Sequence, residues 1–136
     1  MEWIFLDTSG IVTLLNKSDQ LHIQANAVYQ RFRASWYRFL TTDIVLMEVG
    51  NVLSQPAFKR AVNVYIETLR QSRKSSVIYT NEVDFTAGLQ RYGKYADKDW
   101  GLSDCVSFEV MRQYSCTQVF TNDHHFTQAG FAILLP

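Results

Sequence analysis

Four acidic residues spread along the chain, Asp7, Glu48, Asp104 and Asp123, stand where they could gather around one divalent cation. Asp7 follows the apolar run Trp3-Ile4-Phe5-Leu6 and precedes Thr8-Ser9-Gly10. An aspartate after a strand often only caps the next helix. Here either neighbouring hydroxyl can do that work and leave the carboxylate free. Asp123 sits in the same setting within Thr121-Asn122-Asp123. Glu48 lies among Val45, Leu46, Val49 and Val52, with no arginine within a helical turn. Burying an unpaired carboxylate on such a helix is expensive, so the position points to a cation or to catalysis rather than to packing. Asp104, in Asp99-Trp100-Gly101-Leu102-Ser103-Asp104-Cys105, also has the ordinary explanation of an acid favoured in a helix's first turn. Asp99 is the neighbour expected in a supporting, outer role, and Asp97 reads as an exposed loop residue.

An all-oxygen donor set selects hard cations such as Mg²⁺ or Mn²⁺ over zinc. Crowded carboxylates repel, and a dication relieves the repulsion. The fitting chemistry is metal-assisted phosphodiester hydrolysis. His124 and His125 adjoin Asp123, where they could tune the site or touch substrate phosphate, although helix-start packing is the commoner role for such residues. Lys17, Arg91, Lys94 and Lys98 are candidate contacts to a nucleic-acid backbone, of low specificity.

Short apolar runs alternate with longer amphipathic stretches. Strands are expected at Trp3–Leu6, Phe39–Thr42, Val77–Tyr79, Gln118–Thr121 and Ala132–Leu135. Helical spacing predicts helices at Ile11–Leu15, about 20–34, from an Asp43 cap to Leu53, Phe58–Arg73, Asn81–Tyr92, from Ser103 or Asp104 through Met111, and a short one near Phe126. Pro56 should stop the third helix ahead of itself. Alternation of this kind implies a mostly parallel sheet covered on both faces by right-handed crossovers, with its ligand crevice beyond the carboxyl ends of the strands. Asp7 and Asp123 fall there without reference to any family.

The 136 residues fit one domain, 1–136, with 47% hydrophobic residues to build a core. Thirteen basic side chains balance 13 acidic ones, which argues against a protein that coats nucleic acid by bulk charge. Cys105 and Cys116 form no metal-binding pattern and read as buried thiols in a reducing compartment. The N-terminus lacks the features of a signal peptide, and no apolar run nears the roughly 20 residues that span a bilayer. A cytoplasmic protein is expected.

The ordered set Asp7-Thr8-Ser9, Glu48, Leu102-Ser103-Asp104-Cys105-Val106-Ser107-Phe108 and Thr121-Asn122-Asp123-His124-His125-Phe126 resembles the PIN-domain ribonucleases over essentially the whole chain. Within them it is most similar to the VapC-type toxins of type II toxin–antitoxin systems. The resemblance implies a Rossmann-like α/β fold with about five parallel strands and helices on both faces. It implies Mg²⁺- or Mn²⁺-dependent endonucleolytic cleavage of single-stranded RNA. Asp7 and Asp104 match principal metal ligands, Glu48 a ligand or a base that orients water, and Asp123 completes the quartet. Thr8 or Ser9 matches a supporting hydroxyl. Asn122, within the Asp123 motif, and Asp99, at an often acidic position, match supporting residues. A homodimer and a small inhibitory antitoxin protein are implied partners. Gly10 departs from the pattern and is expected to loosen its turn.

Other readings fit less well. A haloacid-dehalogenase-like phosphatase wants an acid where Ser9 stands, and a receiver domain wants an aspartate where the third strand runs into Tyr79-Thr80-Asn81. A non-toxin RNA-processing nuclease and a non-catalytic PIN module that binds RNA or protein remain as alternatives.

Overall fold

The computed structural model describes residues 2–136. Strands β1 (Trp3–Leu6), β2 (Arg38–Thr42), β3 (Ser75–Ile78), β4 (Gln118–Phe120) and β5 (Ala132–Ile133) form one sheet in the order β3-β2-β1-β4-β5. Every pairing is parallel. Helices α1 (Thr8–Leu15), α2 (His22–Arg33), α3 (Asp43–Val52) and α4 (Pro56–Gln71) lie on the path from β1 to β3. Helices α5 (Glu82–Lys94) and α6 (Leu102–Gln113) carry the chain back to β4, and α7 (His124–Gln128) joins β4 to β5.

The sheet grows from β1 toward β3 in one direction, then resumes at β4 on the other side of β1. Right-handed crossovers in opposite directions place their helices on opposite faces. The contacts follow this division: α1 packs on α2, α3 and α4, while α6 packs on α5 and α7. The order reverses between β1 and β4, so their carboxyl ends open a crevice. Asp7 is the first residue after β1, and Asp123 is the N-cap of α7 just after β4.

Central strands are apolar because both faces are covered. Ile4, Phe5, Leu6, Leu40, Val119 and Phe120 are buried, as are Val45, Val49, Phe108 and Met111 on the helices. The predicted architecture is present, with local corrections. Helix α1 starts at Thr8 rather than Ile11, and α4 starts at Pro56, whose missing N–H costs nothing at a helix's first position. Strand β3 begins at Ser75 and leaves out Tyr79, because its register against Phe39–Thr42 ends at Ile78. Thr42, not Asp43, caps α3 through its hydroxyl, which accepts from Val45 N–H at 3.1 Å. The Asp43 carboxylate is instead drawn to Thr80, accepting from its N–H and hydroxyl at 3.0 and 2.9 Å.

Gly10 corrects another expectation. A Cβ there would lie 2.0 Å from the Phe120 carbonyl oxygen and 2.6 Å from its ring. The glycine does not loosen the turn; it lets α1 sit directly on the end of β4.

Candidate active site

Asp7, Thr8, Ser9, Glu48, Asp104 and Asp123 line one open cavity of about 310 Å³, together with Val12 and Val52. All four carboxylates expected from the sequence therefore meet, from four segments far apart in the chain. A larger cleft of about 480 Å³ lies elsewhere, lined by Tyr29, Tyr65, Lys17, His22, Arg33 and Lys74 among others. No acidic residue lines it.

Asp7 is buried, and the desolvation raises its pKa from 3.8 to about 7. The Thr121 hydroxyl and the Thr8 N–H hold it down, while Asp104 and Asp123 push it further up. The hydroxyls beside Asp7 do not cap α1, as the sequence suggested they could. Ser9 Oγ lies 2.6 Å from Thr121 Oγ1, which donates to Asp7 Oδ2 at 2.8 Å. Thr121 has one proton and gives it to Asp7, so Ser9 must donate to Thr121. Ser9 Oγ in turn accepts from the Asn122 N–H at 3.2 Å, and Thr121 Oγ1 accepts from the Asp123 N–H at 3.1 Å. Every donor in this chain points toward the Asp7 carboxylate.

Thr121 was not singled out from sequence, although it stands in the same tripeptide as Asp123. Its role depends on β4 lying beside β1. Asn122 is tied to the site by its backbone N–H.

Glu48 and Asp104 approach from opposite faces of the sheet. Glu48 is half-buried on α3; burial raises its pKa, the Ser103 hydroxyl lowers it, and Asp104 raises it again. Ser103, in the first turn of α6, thus supplies the hydroxyl that favours the ionised form of Glu48. Burial likewise raises Asp104, against the pull of the Gly101 N–H, which donates to Oδ2 at 3.1 Å. Asp104 therefore also does the structural work that a helix-start acid ordinarily does.

Asp123 caps α7, accepting from the His125 N–H at 2.9 Å. His125, for which packing was the commoner expectation and tuning of the site the other, lies beside the carboxylates: its Nδ1 is 3.5 Å from Asp104 and 3.4 Å from Asp123. His124 is exposed. Phe126 fixes α7 from below; it is fully buried and meets Phe108 edge-on at 4.9 Å. Trp100 Nε1 adds a bond to Gln128 at 3.0 Å. The same Trp100 is buried, and Asp99 beside it is left exposed and outside the cavity lining. The outer role expected of Asp99 has no contact to support it.

None of the four basic residues suggested as substrate contacts lines the cavity. Arg91 is committed to Glu109, donating from Nε at 2.9 Å and from Nη2 at 2.7 Å. Lys98 faces Asp97 at 3.7 Å, Lys94 lies over the Tyr95 ring, and Lys17 borders the larger cleft.

A divalent cation suits these residues. Three of the four carboxylates have pKa values raised by burial and, less, by one another, a cost of ionisation that a dication offsets. Two buried polar atoms make no hydrogen bond: Thr8 Oγ1 in the cavity lining and His125 Nδ1 beside Asp104 and Asp123. Asp104, Asp123 and His125 offer donor atoms that all lie within 4.8 Å of one another.

Five parallel strands flanked by helices, with an acidic crevice at the topological switch point, define a Rossmann-like class of α/β protein. The family model for the PIN domain matches residues 4–132, and the chain belongs to that family. Among solved structures, VapC20 from Mycobacterium tuberculosis, described as a sarcin–ricin loop cleaving toxin, superposes with a TM-score of 0.85. It is 25% identical, with 98% of this chain and 99% of that one covered. FitAcB from Neisseria gonorrhoeae is 20% identical with a TM-score of 0.64, covering 96% of each chain. FitAB bound to an IR36 DNA fragment gives the same identity and TM-score over 96% of this chain and 93% of that one. No curated protein sequence matches the chain.

Proposed function

We propose that this chain is a metal-dependent endoribonuclease that hydrolyses phosphodiester bonds of single-stranded RNA and serves as the toxin of a toxin–antitoxin pair. The observation that carries the reading is the meeting of Asp7, Glu48, Asp104 and Asp123 in one crevice at the carboxyl ends of β1 and β4. The likeness to VapC20, a toxin that cleaves the sarcin–ricin loop, supports RNA as the substrate class. Asp7, Asp104 and Asp123 would hold the cation, Mg²⁺ or Mn²⁺. When bound, it supplies Lewis-acid activation of the phosphoryl group and of water.

Glu48, held by Ser103, accepts the proton of the attacking water. The water oxygen bonds to phosphorus as the phosphorus–ribose oxygen bond breaks, and the leaving oxygen is protonated from solvent. Thr121 and Ser9 hold Asp7 in place while charge develops. A small antitoxin protein is the inhibitory partner, and the active form is a homodimer. No helix among the described residues is long and apolar enough to cross a membrane; a cytoplasmic location agrees with an RNA substrate.

The test is cleavage of single-stranded RNA by the purified protein. Products are expected with Mg²⁺ or Mn²⁺, and none with chelator, with Asp7→Asn or with Asp104→Asn. Equal cutting by all three proteins in chelator would overturn the reading. RNA binding without products across several divalent ions would favour a non-catalytic module. Growth arrest on expression, relieved by a neighbouring reading frame, tests the toxin assignment. Growth that is unaffected by a cutting enzyme would point to RNA processing instead.

A further inference from the structure

The site just described is built from carboxylates, but its rim carries one nitrogen that an all-oxygen reading leaves unexplained. His125 Nδ1 is buried and makes no hydrogen bond. It faces Asp104 Oδ2 at 3.5 Å and Asp123 Oδ1 at 3.4 Å. Two donors that bind one cation at right angles, each ~2.1 Å away, lie ~3 Å apart. The observed separations exceed that by a few tenths of an ångström, a gap that small side-chain adjustments close.

Nor is the ring free to leave. The backbone N–H of His125 donates to Asp123, and the next residue, Phe126, is locked between Phe5 and Phe108. A polar atom kept beside two carboxylates, and kept from any other partner, is placed as a ligand is placed.

We infer that His125 Nδ1 is a metal ligand, completing with Asp104 and Asp123 a mixed nitrogen–oxygen site that selects a transition-metal dication, Mn²⁺ above Mg²⁺. This rests on the metal-site reading above and adds a residue and a selectivity to it. Imidazole is a poor ligand for Mg²⁺, which binds oxygen and gives up its waters reluctantly. First-row transition metals accept imidazole readily. The competing role for the ring is that of a fixed cation which neutralises the two carboxylates, and that role predicts the opposite response to its removal.

The experiment is calorimetric titration of the full chain, stripped of metal, with Mn²⁺ and separately with Mg²⁺, for wild type and His125→Ala. Wild type should bind Mn²⁺ at least about tenfold more tightly than Mg²⁺. His125→Ala should lose most of that difference through weaker Mn²⁺ binding, with Mg²⁺ binding little changed. In parallel, the electron spin echo of the Mn²⁺-loaded wild type should carry the modulation of a directly bound imidazole nitrogen.

Three results would overturn the inference while leaving the carboxylate site standing. These are equal wild-type affinities for the two ions, tighter binding of both by His125→Ala, or a wild-type echo without the nitrogen signal. Should His125→Ala fail to fold, the wild-type echo decides alone. Failure of wild type to bind either ion would instead sink the metal-site reading, and this inference with it.

Discussion

The Thr121 hydroxyl donates to Asp7 Oδ2 at 2.8 Å, joining residues 114 positions apart at the point where the sheet reverses direction. Because Thr121 is fully buried, this bond forms out of water and is among the few forces holding Asp7 toward its ionised form. Thr121→Val should leave a buried carboxylate without its donor, at a cost of about 1–3 kcal/mol. Thermal melts should show the loss, and Thr121→Ser should recover most of it. If Val and Ser variants melt alike, the hydroxyl contributes nothing.

Asp7 itself should trade stability for activity. Its pKa is raised from 3.8 to about 7 by burial, so the folded state takes up a proton that the unfolded state lacks. A raised carboxyl favours the fold below its unfolded pKa, and that contribution is lost as pH rises through about 7. Across this window the loss runs near 1.4 kcal/mol per pH unit at most. Asn at position 7 keeps an acceptor for Thr121 and never ionises. In chelator, Asp7→Asn should therefore melt higher than wild type, with a larger gap at pH 8 than at pH 5. A gap that is constant with pH would contradict the raised pKa.

Cation binding should expel protons. Asp7, Glu48 and Asp104 all have raised pKa values, whereas a bound dication requires their ionised forms. Titration with Mn²⁺ near pH 6.5, in buffers of different ionisation enthalpy, should show proton release that fades above pH 8. The apparent affinity should climb over the same interval.

Glu48→Gln should retain the shape of the side chain and the fold, yet lose the proton acceptor. Cleavage should fall by at least about a hundredfold with the melting point little changed. Ser103→Ala, which frees Glu48 without removing it, should cost less activity. A Glu48→Gln protein as active as wild type would remove this residue from the chemistry.

Glycines provide a contrast that tests the packing. Gly10→Ala would drive a Cβ to 2.0 Å from the Phe120 carbonyl, and displace α1 together with Asp7. Loss of both fold stability and cleavage is expected. Gly93, in α5, has open space around it, and Gly93→Ala should stabilise by about 0.5–1 kcal/mol. Equal responses at the two positions, read by chemical denaturation, would show that the α1–β4 contact is looser than described.

Much of this protein is determined locally by its sequence. Apolar runs such as Trp3–Leu6 and helical periodicities such as Val45–Val49–Val52 fix element types, since burial of a period-specific face is decided over a few residues. The alternation of these elements fixes a parallel sheet, and the sheet fixes where strand-end acids must point. That is why Asp7 and Asp123 could be read as a pair; Glu48 was legible from the cost of burying its carboxylate, and Asp104 mainly from the resemblance to PIN domains.

Partners across elements were decided only by tertiary structure. Thr121 matters because β4 pairs with β1, Ser103 because its hydroxyl acts on Glu48 of another helix, and His125 because α7 sets its ring beside Asp104. Arg91 was taken from the substrate by Glu109, and Asp99 was turned to solvent by the burial of Trp100. Hydrogen bonds and ion pairs act over a few ångströms, and residues that far apart in sequence acquire such distances only when the chain has packed.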